Sequence, residues 1–180
     1  MSEGYQIRNQ EAIHYLTFQV INWMDVFTRK SYRDILIESL MHCRDKKGLN
    51  IHAFVIMSHH MHCILSSNTA DLSGTIRDFK THTSKAIIAE MQLPGESRKE
   101  WMLGQMKYYA KTNKRNSEHQ FWTQENHPME LYSNKFKDQK LNYIHQNPVR
   151  AGIVDESWEY IYSSARAYCD MKCILEIDYL

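Results

Sequence analysis

Two histidines separated by one residue lie in a strongly apolar stretch of the sequence. His60 and His62 belong to the segment SHHMHC, which FVIM precedes and IL follows. In a β-strand, residues two apart share a face, so these two imidazoles would project side by side while His59 and Met61 face the other way. Such a pair is well placed to bind one divalent cation, because imidazole nitrogen is a common metal ligand. The alternative is a pair of half-buried strand residues without a ligand; the cost of polar groups in an apolar strand favours a role for the pair.

A second candidate site lies in the polar segment KLNYIHQNPVRAG. Tyr143 and Asn147 are four residues apart, and Lys140 precedes the tyrosine by three. On a helix these spacings place the phenol, the amide and the cation on one face. A phenol beside a cation could act as a nucleophile. Packing explains a tyrosine equally well, and Asn before Pro148 commonly closes a helix, so the spacing alone leaves both readings open.

The charge distribution is uneven although the total is almost neutral. The 180-residue chain carries a formal charge of +1, which excludes a protein that binds nucleic acid through bulk charge. Residues 107–150 hold eight basic and four acidic side chains, whereas residues 151–180 hold two basic and six acidic ones. Aromatic residues interleaved with the basic ones could stack on exposed bases, or they could belong to the core. Any contact with nucleic acid is therefore expected to be local.

The elements that must position these residues follow from hydrophobic spacing and from breakers. Alternation and β-branched residues predict strands, and apolar positions at a period of 3.6 predict helices. Gly48 is expected to end the first helix and Pro148 the helix that begins at residue 134. Asp71 or Ser73 is expected to cap the second helix. The predicted strands are 15–22, 49–57, 61–67, 119–124 and CILEIDYL at the end; the predicted helices are 29–47, one after residue 71, 98–112, 134–147 and a short one after residue 157; a turn begins in 127–131 and a loop covers 113–118.

This order of elements predicts a single domain over residues 1–180 of the α+β class. Two adjacent strands in the middle favour an antiparallel sheet with helices packed on it, as in a ferredoxin-like or RRM-like fold. Nothing in the sequence reads as a membrane span or a signal peptide, so a cytoplasmic protein with reduced cysteines is expected. Cys169 and Cys173 could hold a metal, although packing is the simpler role.

Taken together, the motifs resemble a known family. The segments FVIMSHHMHCIL, IRDFKTHTSKAI, FWTQENHPMEL, KLNYIHQNPVRAGIV and YSSARAY follow one another between about residues 14 and 179. In this order they resemble the single-tyrosine HUH transposases of the IS200-like superfamily, and among these the REP-associated tyrosine transposases. One position departs from the pattern: His59 stands where Asn is typical.

The resemblance implies an HUH endonuclease fold and a specific chemistry. It implies that His60, His62 and Asn147 hold Mg²⁺ or Mn²⁺ and that Tyr143 is the nucleophile. The activity would be cleavage and strand transfer of single-stranded DNA next to hairpins, through a 5′-phosphotyrosine, in a bacterial protein that associates with the nucleoid when it is bound to DNA. The alternative is a domesticated protein that binds hairpin DNA without cutting it. A monomer is favoured and a homodimer is possible. The basic residues expected to contact DNA are Lys80, Lys85, Lys114, Arg115, Lys140 and Arg150.

Overall fold

The computed structural model describes residues 6–111 and 118–180. Within these ranges the chain forms an antiparallel sheet and a set of helices. The strands are β1 (His14–Gln19), β2 (Leu49–Ile56), β3 (His60–Ser67) and β4 (Met129–Glu130); the helices are α1 (Lys30–Lys47), α2 (Leu72–Met91), α3 (Lys99–Lys111) and α4 (Asn134–Arg150). Short 3₁₀ turns cover Ile21–Trp23, Val26–Thr28, Ser157–Glu159 and Ser164–Cys169. No helix in the described part of the chain is long and apolar enough to cross a membrane.

The sheet is antiparallel throughout, as the sequence predicts. Its order is β2-β3-β1-β4, and every neighbouring pair is antiparallel. β1 therefore lies between β3 and β4, and Phe18 and Thr17 are directly opposite Met61 and His62. The α+β class with an antiparallel sheet is confirmed.

The two faces of the sheet pack against different helices. Leu16, Phe18, Met61 and Cys63 belong to the large core shared with α1 and α2. The residues between them point the opposite way, where Tyr15 and its neighbours form a second cluster with α4. Each fully buried Leu, Phe or Met contributes about 1.5–3 kcal/mol, so the first face supplies most of the stabilisation.

The signals at two helix ends are confirmed. Gly48 ends α1 in the left-handed conformation, at φ +64°, which costs glycine little because it lacks a Cβ. Asp71 caps α2, where its Oδ1 accepts a hydrogen bond of 3.0 Å from the backbone N–H of Gly74.

The predicted strand over residues 119–124 is wrong. Trp122 forms an isolated bridge with Val20, and the strand next to β1 is β4, in the segment predicted to begin a turn. Phe121 and Trp122 are consecutive and both are buried in the core under α1 and α2. A regular strand would send them to opposite faces, so packing of both rings overrides the extended pattern.

The predicted C-terminal strand is also wrong. Residues 173–180 are all described and form no strand, although Asp178 is bonded to β2 through its backbone and side chain. Its N–H donates to the carbonyl of Ile51, and its Oδ2 accepts from the N–H of Ile51 at 2.9 Å. The side-chain carboxylate thus takes the place of a ladder carbonyl.

Helix α4 does not end at Asn147 as predicted but continues to Arg150. Pro148 removes one N–H donor from the helix. The last turn is nevertheless closed, because the N–H groups of Ala151 and Ile153 donate to the carbonyls of Asn147 and Pro148 at 3.0 and 2.9 Å. The Pro148 ring is buried. Strand β1, in contrast, is shorter than predicted and ends at Gln19.

Candidate active site between the sheet and helix α4

The two motif histidines lie side by side at the start of β3, on the α4 side of the sheet. Their ring centroids are 4.6 Å apart. His62 is buried, with 6% of its surface exposed. The Nδ1 atom of His60 is buried and has no hydrogen-bond partner among the described residues. An orphaned imidazole nitrogen next to a second imidazole is the arrangement expected for a ligand site.

Two hydroxyl groups from β1 orient the His62 ring. The Nδ1 of His62 is 2.8 Å from the Tyr15 hydroxyl and 2.9 Å from the Thr17 hydroxyl. With Nδ1 protonated, its single N–H is directed to these two oxygens, which share it, and Nε2 keeps its lone pair for a ligand. Burial raises the pKa of Tyr15, so its hydroxyl stays neutral.

Burial keeps both imidazoles neutral at physiological pH. It lowers the pKa of His60 to about 4, with a further contribution from His59. It lowers the pKa of His62 to about 3, and His60 and Lys140 add to the effect. Neutral imidazole is the form that binds a metal ion.

Helix α4 brings the predicted nucleophile to the histidines. The ring of Tyr143 lies 5.4 Å from that of His62 and 6.2 Å from that of Tyr15, centroid to centroid. Its side chain remains 38% exposed and therefore accessible to a large substrate. Lys140 Nζ is 5.8 Å and Arg150 Cζ 5.4 Å from the centre of the phenol ring.

Asn147 lies one turn after Tyr143, as its spacing predicts, but its amide is engaged within the helix. Its Nδ2 donates to the Tyr143 carbonyl at 2.8 Å, which leaves Oδ1 as the oxygen that it can offer. No group of three His, Cys, Asp or Glu residues in the described ranges could hold a metal ion. Two imidazoles and one amide oxygen fit Mn²⁺, and they fit Mg²⁺ where water or phosphate supplies the remaining oxygens.

Comparison with known proteins places the chain in a family. Residues 12–124 match the family model described as "Transposase IS200 like", which is more than half of the chain. The chain belongs to the IS200-like transposase family. The matched range contains His60 and His62 but ends before Tyr143.

A solved structure shows that the fold of this IS200-like chain extends beyond the matched range. It is described as a REP-associated tyrosine transposase bound to a REP hairpin, with a TM-score of 0.66 and 18% sequence identity. The similarity covers 100% of this chain and 94% of the other, so α4 and the C-terminal segment belong to the shared fold. No curated protein matches the sequence.

The predicted DNA-contact residues of this IS200-like chain lie in different surroundings. Lys140 and Arg150 flank Tyr143, as described above. Lys80 and Lys85 both line a groove of about 780 Å³ between α2 and the segment 118–126. The Lys80 ammonium donates to the Thr123 carbonyl at 2.8 Å and to Asn126 Oδ1 at 2.7 Å, and burial lowers its pKa to about 8. Lys85 is exposed.

Two further predicted residues, Lys114 and Arg115, lie outside the described residues. Of the two cysteines considered as ligands, Cys169 is exposed and Cys173 donates weakly to the Ser163 carbonyl at 3.6 Å.

Sequence reasoning missed Tyr15 and Thr17 as members of the site. The alternation in YLTF places both on one face of β1, but it does not indicate which strand lies beside them. Their proximity to His62 follows from the pairing of β1 with β3.

Proposed function

We propose that the protein is a metal-dependent endonuclease and strand transferase that cleaves single-stranded DNA next to a hairpin, with Tyr143 as nucleophile. The observation that carries this proposal is the approach of the Tyr143 ring to His62, at 5.4 Å, from a separate helix. A neutral histidine pair and an accessible phenol converge there on one side of the sheet. Hairpin recognition is proposed from the shared fold, because the similar transposase structure has a REP hairpin bound.

The reaction assigns a distinct task to each group. The Tyr143 oxygen attacks the scissile phosphorus, the bond from phosphorus to the 3′ oxygen breaks, and the leaving 3′ oxygen takes up a proton while the phenol loses one. His60 and His62, with Asn147 Oδ1, would hold a divalent cation, which acts as a Lewis acid on the phosphate when it is bound. The 5′-phosphotyrosine conserves the phosphodiester energy, so that a 3′ hydroxyl can later displace the tyrosine and rejoin the strand.

The positive side chains near Tyr143 support this assignment. Lys140 and Arg150 lie on either side of the phenol along α4, and Lys140 Nζ is also 4.6 Å from the centre of the Tyr15 ring. A phosphate that enters between them meets two cations next to the nucleophile. Electrostatic positioning of this kind is a major contribution to phosphate chemistry.

A second candidate is a hairpin-binding protein without cleavage activity. The observation that favours it is that the histidine pair has no third His, Cys, Asp or Glu ligand among the described residues. The metal ligands would then remain incomplete, and the basic side chains would serve binding alone.

The two candidates are separated by a covalent-adduct assay. A hairpin oligonucleotide with a single-stranded flank, labelled at the 3′ or the 5′ end, is incubated with Mn²⁺ or Mg²⁺ and resolved under denaturing conditions. We expect the 3′ label to migrate with the protein and the 5′-labelled fragment to end in a free 3′ hydroxyl. Tyr143→Phe should abolish the adduct and retain hairpin binding, since the phenol is exposed and its loss leaves α4 intact.

Tyr132→Phe is the matched control, because Tyr132 is 83% exposed and precedes α4. It should form the adduct as the wild type does. An adduct that persists in Tyr143→Phe contradicts the nucleophile assignment, and a wild-type protein that binds the hairpin but never cleaves it supports the second candidate.

A further inference from the structure

We propose that Trp23 is a stacking platform for an unpaired nucleobase of the DNA strand that enters the site. This inference rests on the proposed function and adds a base-binding subsite to it. Trp23 follows β1 in the short turn Ile21–Trp23, and its side chain is 66% exposed, more than that of any other tryptophan in the chain.

Trp23 is connected to the histidine pair by a row of ring contacts. Its ring centroid lies 5.3 Å from that of His59, and the ring of His59 lies 4.4 Å from that of His60. The expectation that His59 faces away from His60 is therefore wrong, because β3 begins at His60 and strand alternation does not extend to His59. The row continues through His62 to Tyr143, at 4.6 and 5.4 Å. The indole therefore lies at one end of a row of rings whose other end is Tyr143, the proposed nucleophile.

The backbone holds this indole in its exposed position. Asn22 and Trp23 have φ values of +52° and +54°, a left-handed conformation that residues other than glycine rarely adopt. The Asn22 side chain is fixed by α3: its Nδ2 donates to Gln105 Oε1 at 3.2 Å, and its Oδ1 accepts from the Tyr109 hydroxyl at 3.1 Å. Two consecutive unfavourable conformations, kept in place by neighbouring side chains, are typical of functional positions.

The start of the turn is also anchored to neighbouring segments. The N–H of Val20 donates to the His59 carbonyl at 3.0 Å, and the N–H of Ile21 donates to the Phe121 carbonyl at 2.9 Å. The first of these bonds ties the turn directly to the histidine segment. The spacing between Trp23 and His60 is therefore set before any ligand binds.

The chemistry of Trp23 selects a nucleobase as its ligand. An indole presents a flat π-face without charge, and every base offers a matching face once it is unpaired. The phosphates of the same strand would be held by the cations near Tyr143 and by the metal site, so one strand could contact both ends of the row of rings. Stacking of this kind changes affinity by about 5- to 150-fold per base and tolerates any base identity.

The test combines tryptophan substitutions with abasic nucleotides. Trp23→Ala should weaken binding to the hairpin with its single-stranded flank by about 5- to 150-fold and lower kcat/KM in proportion. Trp23→Phe should lose less, and binding to the hairpin without a flank should be unchanged in both. Trp101→Ala, at a tryptophan of α3 that is 50% exposed, is the matched control and should bind like the wild type.

An abasic site is then moved along the flank one nucleotide at a time. At one position it should weaken the wild type as much as Trp23→Ala does, and it should have no further effect in that variant. Quenching of intrinsic fluorescence on binding should be smaller in Trp23→Phe than in the wild type.

Equal binding by the wild type and Trp23→Ala, with no sensitive abasic position, would overturn the inference. If the wild type forms no covalent adduct, the proposed cleavage is overturned instead. Fluorescence quenching that depends on Trp23 when the flanked hairpin binds would still support stacking in that case. Circular dichroism of each variant establishes that it is folded.

Discussion

Two neighbouring residues of β3, Met61 and His62, lie on opposite faces of the sheet, and the two faces differ in what packs against them. Met61 is fully buried in the apolar core under α1 and α2. His62, on the other face, bonds to hydroxyls of β1 and contacts the ring of Tyr143. One strand thus contributes to the apolar core on one side and to the candidate site on the other, because its side chains alternate.

The difference lies in what covers each face. The α1/α2 side is closed by large apolar residues such as Phe18, Leu36 and Phe79, which exclude water. The α4 side combines a small apolar cluster, with Ile144 at its centre, and a polar group that opens to solvent at Tyr143. A polar site can be tolerated there because the opposite face provides most of the hydrophobic stabilisation.

The strongest test of this difference between the two faces is to truncate Met61 and His62 separately. Met61→Ala should lower the free energy of unfolding by about 2–5 kcal/mol, since it leaves a cavity in the core. His62→Ala should abolish metal-dependent cleavage while the protein remains folded. Urea denaturation and the covalent-adduct assay, both at a temperature where each variant is native, measure the two effects.

Folded Met61→Ala protein should cleave at nearly the wild-type rate. If it loses cleavage as completely as His62→Ala does, the two faces are not separable. If His62→Ala cleaves normally, the metal site lies elsewhere.

A smaller effect is expected from the hydroxyls that orient His62. Tyr15→Phe and Thr17→Val each remove one hydrogen-bond partner of Nδ1 with little change in volume. Loss of such a partner typically lowers metal affinity or activity by about 10- to 100-fold. Titration of Mn²⁺ in the cleavage assay should show a higher half-saturating concentration for both variants.

The matched control for the hydroxyl variants is Phe18→Leu, a substitution on the apolar face of the same strand. It should lower stability and leave the Mn²⁺ requirement unchanged. A shift in the Mn²⁺ requirement for Phe18→Leu equal to that of Thr17→Val would show that the shift reports disturbance of β1 and not orientation of His62.

The smallest effect concerns pH and involves His145 of α4. Its Nε2 is 2.9 Å from the Ser164 hydroxyl, and burial lowers its pKa to about 4. The unfolded chain, in which a histidine has a pKa near 6.5, takes up the proton first as the pH falls, so the stability present above pH 6.5 is lost between pH 6.5 and about 4. The slope for one such histidine is about 1.4 kcal/mol per pH unit.

His145→Gln removes this contribution, so its unfolding free energy should fall less steeply than that of the wild type. Urea denaturation between pH 7 and pH 5, with metal chelated, gives both slopes. Parallel slopes would show that His145 is not kept neutral by the fold.

Local patterns in the sequence correctly predicted the strands and the helix that carry the candidate site residues. The hairpin of β2 and β3, with His60 and His62 on one face, follows from alternation along the chain. The position of Tyr143 on a helix follows from spacing as well. The α+β class and the family were also predicted, and both are confirmed.

Two of the wrong predictions have different physical causes. Trp122 is in an extended pattern, but its indole is buried and donates to the Thr83 hydroxyl at 3.0 Å, so the segment packs instead of joining the sheet. Pro148 predicts a helix end, yet its ring is buried and the last turn closes around it. For Trp122 a contact with a distant residue outweighed the local strand preference, whereas at Pro148 hydrogen bonds within the last turn let the helix continue.

The sequence by itself determined which side chains share a face: His60 with His62 on a strand, and Lys140 with Tyr143 and Asn147 on a helix. These relations depend on the fixed periods of strand and helix. Only the tertiary structure decided that β1 lies beside β3, so that Thr17 faces His62, and that α4 covers this side of the sheet and brings Tyr143 to the histidines. Strand pairing and helix packing join residues far apart in sequence, and no local period specifies which of them meet.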